Sequence, residues 1–250
     1  MSRGRVAINE SYDMPSRGLL GEMTPAKITL RAMTTIEEKM RLASTGVSVM
    51  PNIIKACLVD PIDSDTHRWT LTDIQFAMYK LRTVTYGPEY KIMLECPRCG
   101  NKFEITVNLD ELNVKELPDG FTNPFTIGPL PVCGDSIDCK FLTVKDYEDI
   151  EKESKRILKK FPDYVGDPSI VLILQHKIEK INDETLLGPK IQQYIEKMHA
   201  RDLQYLNSKY NEISDAYGLD IYDMIETCPR CQNDVSFDLP INEEFFRPKY

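Results

Sequence analysis

The sequence contains no long apolar run. None of its segments approaches the ~18 consecutive apolar residues of a membrane-spanning helix, and its first residues, Met1–Arg5, lack the apolar core of a secretory signal. Membrane association is therefore not indicated by the sequence. We expect the protein to stay in the cytoplasm in which it is made.

Histidine is also scarce. The three histidines, His67, His176 and His199, are scattered along the chain and form no HExxH pair. The sequence has no glycine-rich phosphate loop and no GxSxG nucleophile motif either. These absences argue against an enzyme and against a small-molecule substrate, and they predict no catalytic residues.

The chain has no excess of basic residues. It carries 31 Lys and Arg against 39 Asp and Glu, which gives a net charge of −8. Proteins that bind the nucleic-acid backbone usually present a basic surface, because they neutralise phosphates. The charge balance therefore argues against nucleic acid as the main partner and favours another protein.

One short motif is present in two copies. Cys96–Cys99 and Cys228–Cys231 both read CPRC, and two thiolates at this spacing can hold one metal ion while the backbone turns around it. Four thiolates complete the tetrahedral shell of a structural zinc ion and leave no open position for water or substrate. We therefore predict one structural zinc per chain, bound by Cys96, Cys99, Cys228 and Cys231.

Alternating apolar and polar residues follow each motif. This pattern, in Phe103–Leu109 and Val235–Leu239, has the period of a β-strand, so each motif should lie at the tip of a β-hairpin, as in a zinc ribbon. Residues 100–227 separate the motifs, far more than an ordinary ribbon needs. Either a ribbon carries a large insertion, or each half of a duplicated protein contributes one motif.

Disulfides and redox-active pairs are the alternatives to metal binding. A redox motif normally follows a strand and opens a helix, whereas strands are predicted on both sides of each motif here. Three further cysteines, Cys57, Cys133 and Cys139, have no assigned role. We interpret them as thiols in a reducing compartment, in preference to a pairing of Cys133 with Cys139 or a second metal contact.

The first half opens with a strand-like segment, Ile28–Met33. Thr34 and Glu37 then form a helix-capping signature, which predicts a helix over residues 35–44. A second apolar stretch follows, and Thr70 is predicted to cap a third helix that ends just before the first CPRC motif.

The second half repeats this order of elements. A strand-like segment at Ile137–Leu142 precedes a capping Thr143, a helix over residues 144–160, an apolar stretch and a long amphipathic helix over 189–216. Tyr-Gly pairs precede both CPRC motifs. This repetition indicates a duplication.

We therefore predict an α+β protein built from two related helical halves, each with a zinc-knuckle β-hairpin, joined through one zinc-ribbon-like site of four cysteines. The predicted divisions are an N-terminal arm (1–25), a first half (26–112), a linker (113–136), a second half (137–240) and a C-terminal tail (241–250).

Both ends of the chain are predicted to bind partners. The arm is rich in Gly, Arg, Ser and Pro and holds too little apolar material to bury itself, so we expect it to be extended and to order on a partner. Plain disorder and packing of the arm on the protein's own core are the alternatives. The predicted anchors are Arg17, Leu19 and Leu20. In the tail, Phe245 and Phe246 are predicted either to pack back on the ribbon or to serve as aromatic anchors.

The sequence resembles the baseplate hub family of T-even-type contractile-tailed phages. The resemblance covers nearly the whole chain and is carried by Pro15–Gly18, Ile28–Thr34, Leu81–Tyr90 and the two CPRC motifs with their flanks. It implies a non-enzymatic role as a scaffold or assembly factor of the baseplate hub, with other hub or tail proteins as partners. It also implies a location in the host cytoplasm during assembly, and in the tail if the protein remains there.

A zinc-ribbon regulator that binds nucleic acid or a polymerase is the competing function. CPRC knuckles occur in that class as well, and Arg98 and Arg230 within the motifs offer positive charge for phosphates. The acidic balance and the lack of a basic stripe interleaved with aromatic residues argue against it.

Overall fold

The computed structural model of the protein describes residues 8–21, 24–43, 49–59, 65–239, 241 and 245–246. Within them lie helices α1 (Thr35–Ala43), α2 (Val49–Cys57), α3 (Leu71–Tyr86), α4 (Val144–Lys160), α5 (Ser169–Lys177), α6 (Pro189–Lys197) and α7 (Ala200–Ser214), and a 3-10 helix at Thr66–Arg68. The strands are β1 (Asn9–Asp13), β2 (Lys27–Arg31), β3 (Glu89–Glu95), β4 (Lys102–Asn108), β5 (Val114–Lys115), β6 (Phe125–Ile127), β7 (Ile137–Cys139), β8 (Ile178–Ile181), β9 (Gly218–Leu219), β10 (Met224–Thr227) and β11 (Asp234–Phe237).

The sheets are small and antiparallel. Four of them pair two strands each, as β1-β2, β3-β4, β5-β9 and β10-β11, and one has the order β6-β7-β8. Because short antiparallel sheets and helices alternate without parallel crossovers, the fold is a mixed helix and sheet structure of the α+β type. The predicted class is confirmed at this level.

Helix α4 begins at a capping box, as predicted. The Thr143 hydroxyl accepts the Asp146 amide at 3.2 Å, and the Asp146 carboxylate accepts the Thr143 amide at 2.9 Å. Each side chain thus satisfies a backbone donor that a helix start leaves without an intrahelical partner. At α1 one of these two contacts is present: the Glu37 carboxylate accepts the Thr34 amide at 2.7 Å.

The long helix predicted over residues 189–216 is interrupted. Met198 has an extended backbone, with ψ of 132°, and ends α6. His199 is also extended, and its imidazole accepts the Arg201 amide, so this residue caps α7 instead of continuing α6. A capping residue inside an amphipathic pattern is therefore the physical reason for two helices where one was expected.

Two large hydrophobic cores hold these elements. The first takes buried side chains from Met14 to Leu112 and again from Leu219 to Phe246, together with Val144. The second takes buried side chains from Leu117 to Tyr217. The chain therefore leaves the first core after its first hairpin and returns to it just before the second.

The predicted divisions differ from these cores in two places. Residues 113–136 are not a linker, since Leu117, Phe125 and Leu130 are buried in the second core. The second hairpin is flanked by Ile221 and Leu239, which are buried in the first core and not with the helices that precede them. Local sequence pattern cannot show this, because it does not reveal which core a strand joins.

The predicted extended arm is wrong for residues 9–21. Strand β1 pairs along its length with β2, and Met14 is fully buried in the first core. The strand escaped prediction because its five residues read NESYD, and only Tyr12 is shielded from solvent among them. Backbone pairing with β2, and not apolar alternation, holds it in place.

The two phenylalanines of the predicted tail also pack inside the protein. Phe245 is fully buried and Phe246 is 2% exposed. The Phe245 ring lies edge-on to Tyr79, with ring centroids 4.8 Å apart, and to Tyr90, at 5.2 Å. The two phenylalanines therefore belong to the first core and do not form part of the ribbon or of an exposed surface.

Candidate metal centre

The two CPRC motifs lie at the tips of two β-hairpins, as predicted. The β3-β4 pairing ends at Glu95 opposite Lys102, and the β10-β11 pairing ends at Thr227 opposite Asp234. Each motif follows directly on the last paired residue of its first strand. The hairpins therefore present their cysteines at their closed ends.

The first tip is a tight backbone turn. The Cys96 amide donates to the Asn101 carbonyl at 2.9 Å, and the Gly100 amide donates to the Cys96 carbonyl at 2.9 Å. Gly100 has a φ of +67°, in the left-handed region where glycine carries no Cβ penalty. This turn directs both sulfurs of the motif to one side.

The second tip repeats the same hydrogen bonds. The Cys228 amide donates to the Asn233 carbonyl at 2.9 Å, and the Gln232 amide donates to the Cys228 carbonyl at 3.0 Å. Gln232 adopts the left-handed conformation with a φ of +57°, which is uncommon for a residue with a Cβ. Asn101 and Asn233 thus hold the same position in the two turns and accept through their backbone carbonyls.

All four sulfurs converge between the hairpins. The Sγ atoms lie within 4.8 Å of one another; Cys96 and Cys231 are 3.6 Å apart, and Cys99 and Cys228 are 3.8 Å apart. Tetrahedral thiolates at about 2.3 Å from one ion would be roughly 3.8 Å from each other. Disulfide sulfurs would be about 2.05 Å apart, so all four are free thiols here.

The site is closed on its protein side. Cys228 is fully buried and Cys96 is 1% exposed, while Cys99 and Cys231 are half-buried. Leu94 and Val235 form an apolar layer with the buried pair. Four ligands with no protein or solvent position left open suit an ion that holds structure, and not one that activates a substrate.

The thiols differ in acidity. Desolvation raises the pKa of Cys228, but the amides of Cys231 and Arg230 donate to its sulfur and lower the pKa to about 6 overall. The Asn233 amide lowers the pKa of Cys231, but desolvation and the nearby sulfurs outweigh it and raise that pKa to about 12. Of these two thiols, Cys228 is therefore the more acidic.

The other three cysteines lie outside this cluster. Cys57 is buried in the first core and Cys139 in the second, and burial raises the pKa of both thiols to about 12. Cys133 is exposed in the turn between β6 and β7. Among the described residues, the four CPRC cysteines are the one group of three or more potential metal ligands whose ligand atoms meet.

The histidines make ordinary structural contacts. His67 lies 2.8 Å from Glu148, His176 lies 3.0 Å from Asp146, and His199 caps α7. None of the three is part of the cysteine cluster.

The residues predicted as partner anchors do not form one site with the metal cluster. Arg17 donates to the Leu117 carbonyl at 3.1 Å and pairs with Asp119 at 2.7 Å. Leu19 and Leu20 are half-buried against the second core. Intramolecular partners therefore engage these side chains, and a direct contact with another protein stays a prediction.

Sequence reasoning missed one buried acidic residue that organises the second half. The Asp202 carboxylate is 1% exposed and accepts the amides of Val132, at 2.8 Å, and Cys133, at 3.2 Å. The available signal was its likeness to Asp73, since both are the third residue of a helix.

Comparison with known protein families identifies the family of this chain. Residues 11–247 match the family described as T4 bacteriophage base plate protein. The chain belongs to that family. The matched region contains both hairpins and all four CPRC cysteines of the base plate protein, so the candidate metal centre lies within the matched residues.

The resemblance to T-even-type phage baseplate proteins is therefore confirmed at the level of the family. No curated protein and no solved structure matches this base plate protein. In the part of the chain that the structure describes, none of the helices has the length and apolar character needed to cross a membrane.

Proposed function

We propose that this base plate protein is a non-enzymatic scaffold or assembly factor of the baseplate hub and that its four-cysteine centre binds one structural zinc ion. The family match over residues 11–247 is the observation that supports the assembly role. The convergence of four thiols supports the zinc assignment.

Zinc suits this ligand set better than the other common divalent ions. Four thiolates are soft ligands, which disfavours magnesium and calcium, and tetrahedral sulfur coordination selects zinc or iron. Paired knuckles of this kind are typical of structural zinc. When bound, the ion would supply a fixed charge that keeps all four sulfurs deprotonated.

The ion would hold two distant parts of the chain together. Cys96 and Cys99 follow β3, whereas Cys228 and Cys231 follow β10, and the whole second core lies between them in sequence. Strands β3 and β11 also contact each other directly. A metal bond between the hairpins therefore fixes where the chain must return after building the second core.

The surface of the paired hairpins offers contacts for other baseplate hub or tail proteins. Met93 on β3 is 64% exposed, and Ile225 on β10 is 68% exposed. Apolar side chains on short, rigid strands suit a protein partner better than nucleic acid, and the net charge of −8 agrees with that preference. The assembly step would take place in the host cytoplasm.

Metal analysis of the purified protein tests the centre. We expect about one zinc per chain, little zinc in a Cys99→Ser variant, and unchanged zinc in a Cys133→Ser control, because Cys133 lies outside the cluster. Freshly prepared wild-type protein that contains no zinc and has its four cysteines oxidised would contradict the zinc assignment.

Phage that carry only the altered gene test the assembly role. Cys99→Ser should reduce the yield of complete baseplates, while Cys133→Ser should not. Mass spectrometry of purified virions beside infected-cell lysate then shows whether the protein remains in the tail or acts only during assembly. Normal baseplates in phage that lack the whole protein would contradict the assembly role. Salt-dependent binding of the protein to DNA in a gel-shift assay would favour the competing function, a zinc-ribbon regulator that binds nucleic acid.

A further inference from the structure

Two turns of the chain share a sequence pattern, and each is closed by a backbone hydrogen bond to the residue before its proline. The first turn, Met14–Gly18, follows β1, and the second turn, Leu130–Gly134, follows β6; both contain Pro-x-x-Gly after an apolar residue. In the first turn the Arg17 amide donates to the Met14 carbonyl at 2.9 Å. In the second turn the Gly134 amide donates to the Leu130 carbonyl at 2.9 Å.

A buried aspartate lies under each turn. Asp202, the third residue of α7, accepts two amides of the second turn. Asp73, the third residue of α3, lies beside Ser16 of the first turn; burial raises its pKa to about 7, and neither of its carboxylate oxygens has a hydrogen-bond partner among the described residues. Each turn therefore lies beside an aspartate that is the third residue of a helix, but only Asp202 accepts amides of its turn.

A segment of the same chain covers the first turn. The Leu117 amide donates to the Pro15 carbonyl at 2.9 Å, and Leu117 is 1% exposed. The Arg17 guanidinium donates back to the Leu117 carbonyl and pairs with the carboxylate of Asp119 at 2.7 Å. An extended segment with a leucine and flanking acidic residues, Glu116–Asp119, thus seals this turn, and Pro15 and Ser16 are buried.

The second turn has no such cover among the described residues. Pro131 and Cys133 are exposed, and Val132 is 48% exposed. Within the described parts of the chain, no amide donates to the Pro131 carbonyl, which corresponds to that of Pro15. Among the described residues that follow the second hairpin, Leu239, Phe245 and Phe246 are buried in the first core instead.

A groove of about 430 Å³ borders the second turn. Val132, Leu186, Tyr194 and Met198 give it apolar surface. Tyr194 also fixes the end of the turn, because its hydroxyl donates to Asp135 at 2.7 Å.

The rim of this groove is basic. Lys190 and Lys197 lie seven residues apart on the same face of α6, and both are exposed. No described carboxylate pairs with either lysine, whereas most lysines of α4 have an ion-pair partner. Two free cations beside an apolar floor complement a segment that carries leucine and carboxylates.

We propose that the second-turn groove binds an extended acidic segment of another protein, with a leucine in the apolar floor and carboxylates against Lys190 and Lys197. The backbone and ion-pair contacts of Glu116–Asp119 with the first turn are the template for this occupant, while the Leu117 side chain itself packs in the second core. The protein thus covers the first turn itself and leaves the second turn uncovered within the described residues.

A labelled peptide with the sequence of residues 113–121 tests this directly by fluorescence anisotropy with the full-length, metal-loaded protein. We expect saturable binding to wild type, at least tenfold weaker binding to a Lys190→Glu/Lys197→Glu variant, and loss of binding when the leucine of the peptide is replaced by alanine. The matched control is Lys159→Glu/Lys160→Glu at the exposed end of α4, which should bind as wild type does.

A second variant tests the apolar floor of the groove separately from the two lysines. Val132→Arg keeps the basic rim but fills the apolar floor, and it should also weaken binding at least tenfold. Circular dichroism and zinc content identify any variant that fails to fold. No binding to wild type, or equal binding by all variants that fold, would overturn the proposal; the metal centre and the assembly role do not depend on this result.

Discussion

The Nε atom of Arg82 donates a hydrogen bond to the Phe245 carbonyl at 3.1 Å, so the end of the described chain is tied to the middle of α3. Arg82 is 1% exposed, and its guanidinium also donates to the Glu89 carbonyl at 2.7 Å, where β3 begins. Burial lowers the pKa of Arg82. One buried cation therefore joins the central helix, the first hairpin and the tail.

Replacing the ring that closes this junction should destabilise the protein. Phe245→Ala removes a fully buried ring that contacts Tyr79 and Tyr90, and comparable core truncations cost about 3–5 kcal/mol. Phe161→Ala is the control, because Phe161 is 51% exposed and should change stability by less than about 0.5 kcal/mol. Urea unfolding followed by circular dichroism measures both; equal stability of the two variants would show that the tail does not pack in solution.

Loss of the metal should lower the melting temperature. Because binding energy at a structural zinc site is also folding energy, on the order of 10 kcal/mol in small zinc peptides, Cys99→Ser should melt well below wild type. The helical cores make the loss smaller here than in a peptide. Wild type treated with a chelator should melt like untreated Cys99→Ser, while Cys133→Ser should melt like wild type; an unchanged transition after verified metal removal would show that the ion does not hold the fold.

The free energy of unfolding should decrease at acid pH, because the Glu37 carboxylate becomes protonated. The hydrogen bond from Arg31 lowers the pKa of the buried Glu37 carboxyl from 4.5 to about 2. A depressed folded-state pKa stabilises the protein above the unfolded-state value, and this contribution is lost as the pH falls from about 4.5 to about 2. It corresponds to about 3 kcal/mol at neutral pH.

Glu37→Gln should therefore be less stable than wild type at pH 7, and the difference should shrink towards pH 2. Glu104→Gln is the control, because Glu104 is exposed on β4. Urea unfolding at several pH values measures both. A constant difference between Glu37→Gln and wild type across this range would show that the Arg31 contact does not control the titration of Glu37.

The N-terminal segment should contribute directly to stability. Met14 is fully buried in the first core, and a buried Met→Ala change costs about 2–5 kcal/mol. Met93→Ala is the control, because Met93 is 64% exposed. If Met14→Ala unfolds at the same urea concentration as Met93→Ala, the packing of Met14 in the first core would be contradicted.

The sequence alone determined the elements that depend on local chemistry. The CPRC motifs specify four soft ligands, the alternating flanks specify strands, and Thr143 with Asp146 specifies a helix start, because a few neighbouring atoms decide each of these. The structure confirms the strands and the helix start, and it brings the four sulfurs together, while their binding of a metal stays a prediction. The same local logic failed at β1, whose polar residues pair through the backbone and leave no apolar pattern.

Only the tertiary structure decided which distant parts of the chain meet. Phe245 lies in a core 163 residues from the helix residue that binds its carbonyl, and Leu117 covers the turn of Pro15 from within a segment that resembled a linker. Local pattern sets the conformation of each segment, but burial of apolar surface is non-directional and is satisfied by whichever faces fit. For that reason the sequence was sufficient to predict the four sulfurs. The covered first turn and the open second turn could be identified only from the tertiary structure.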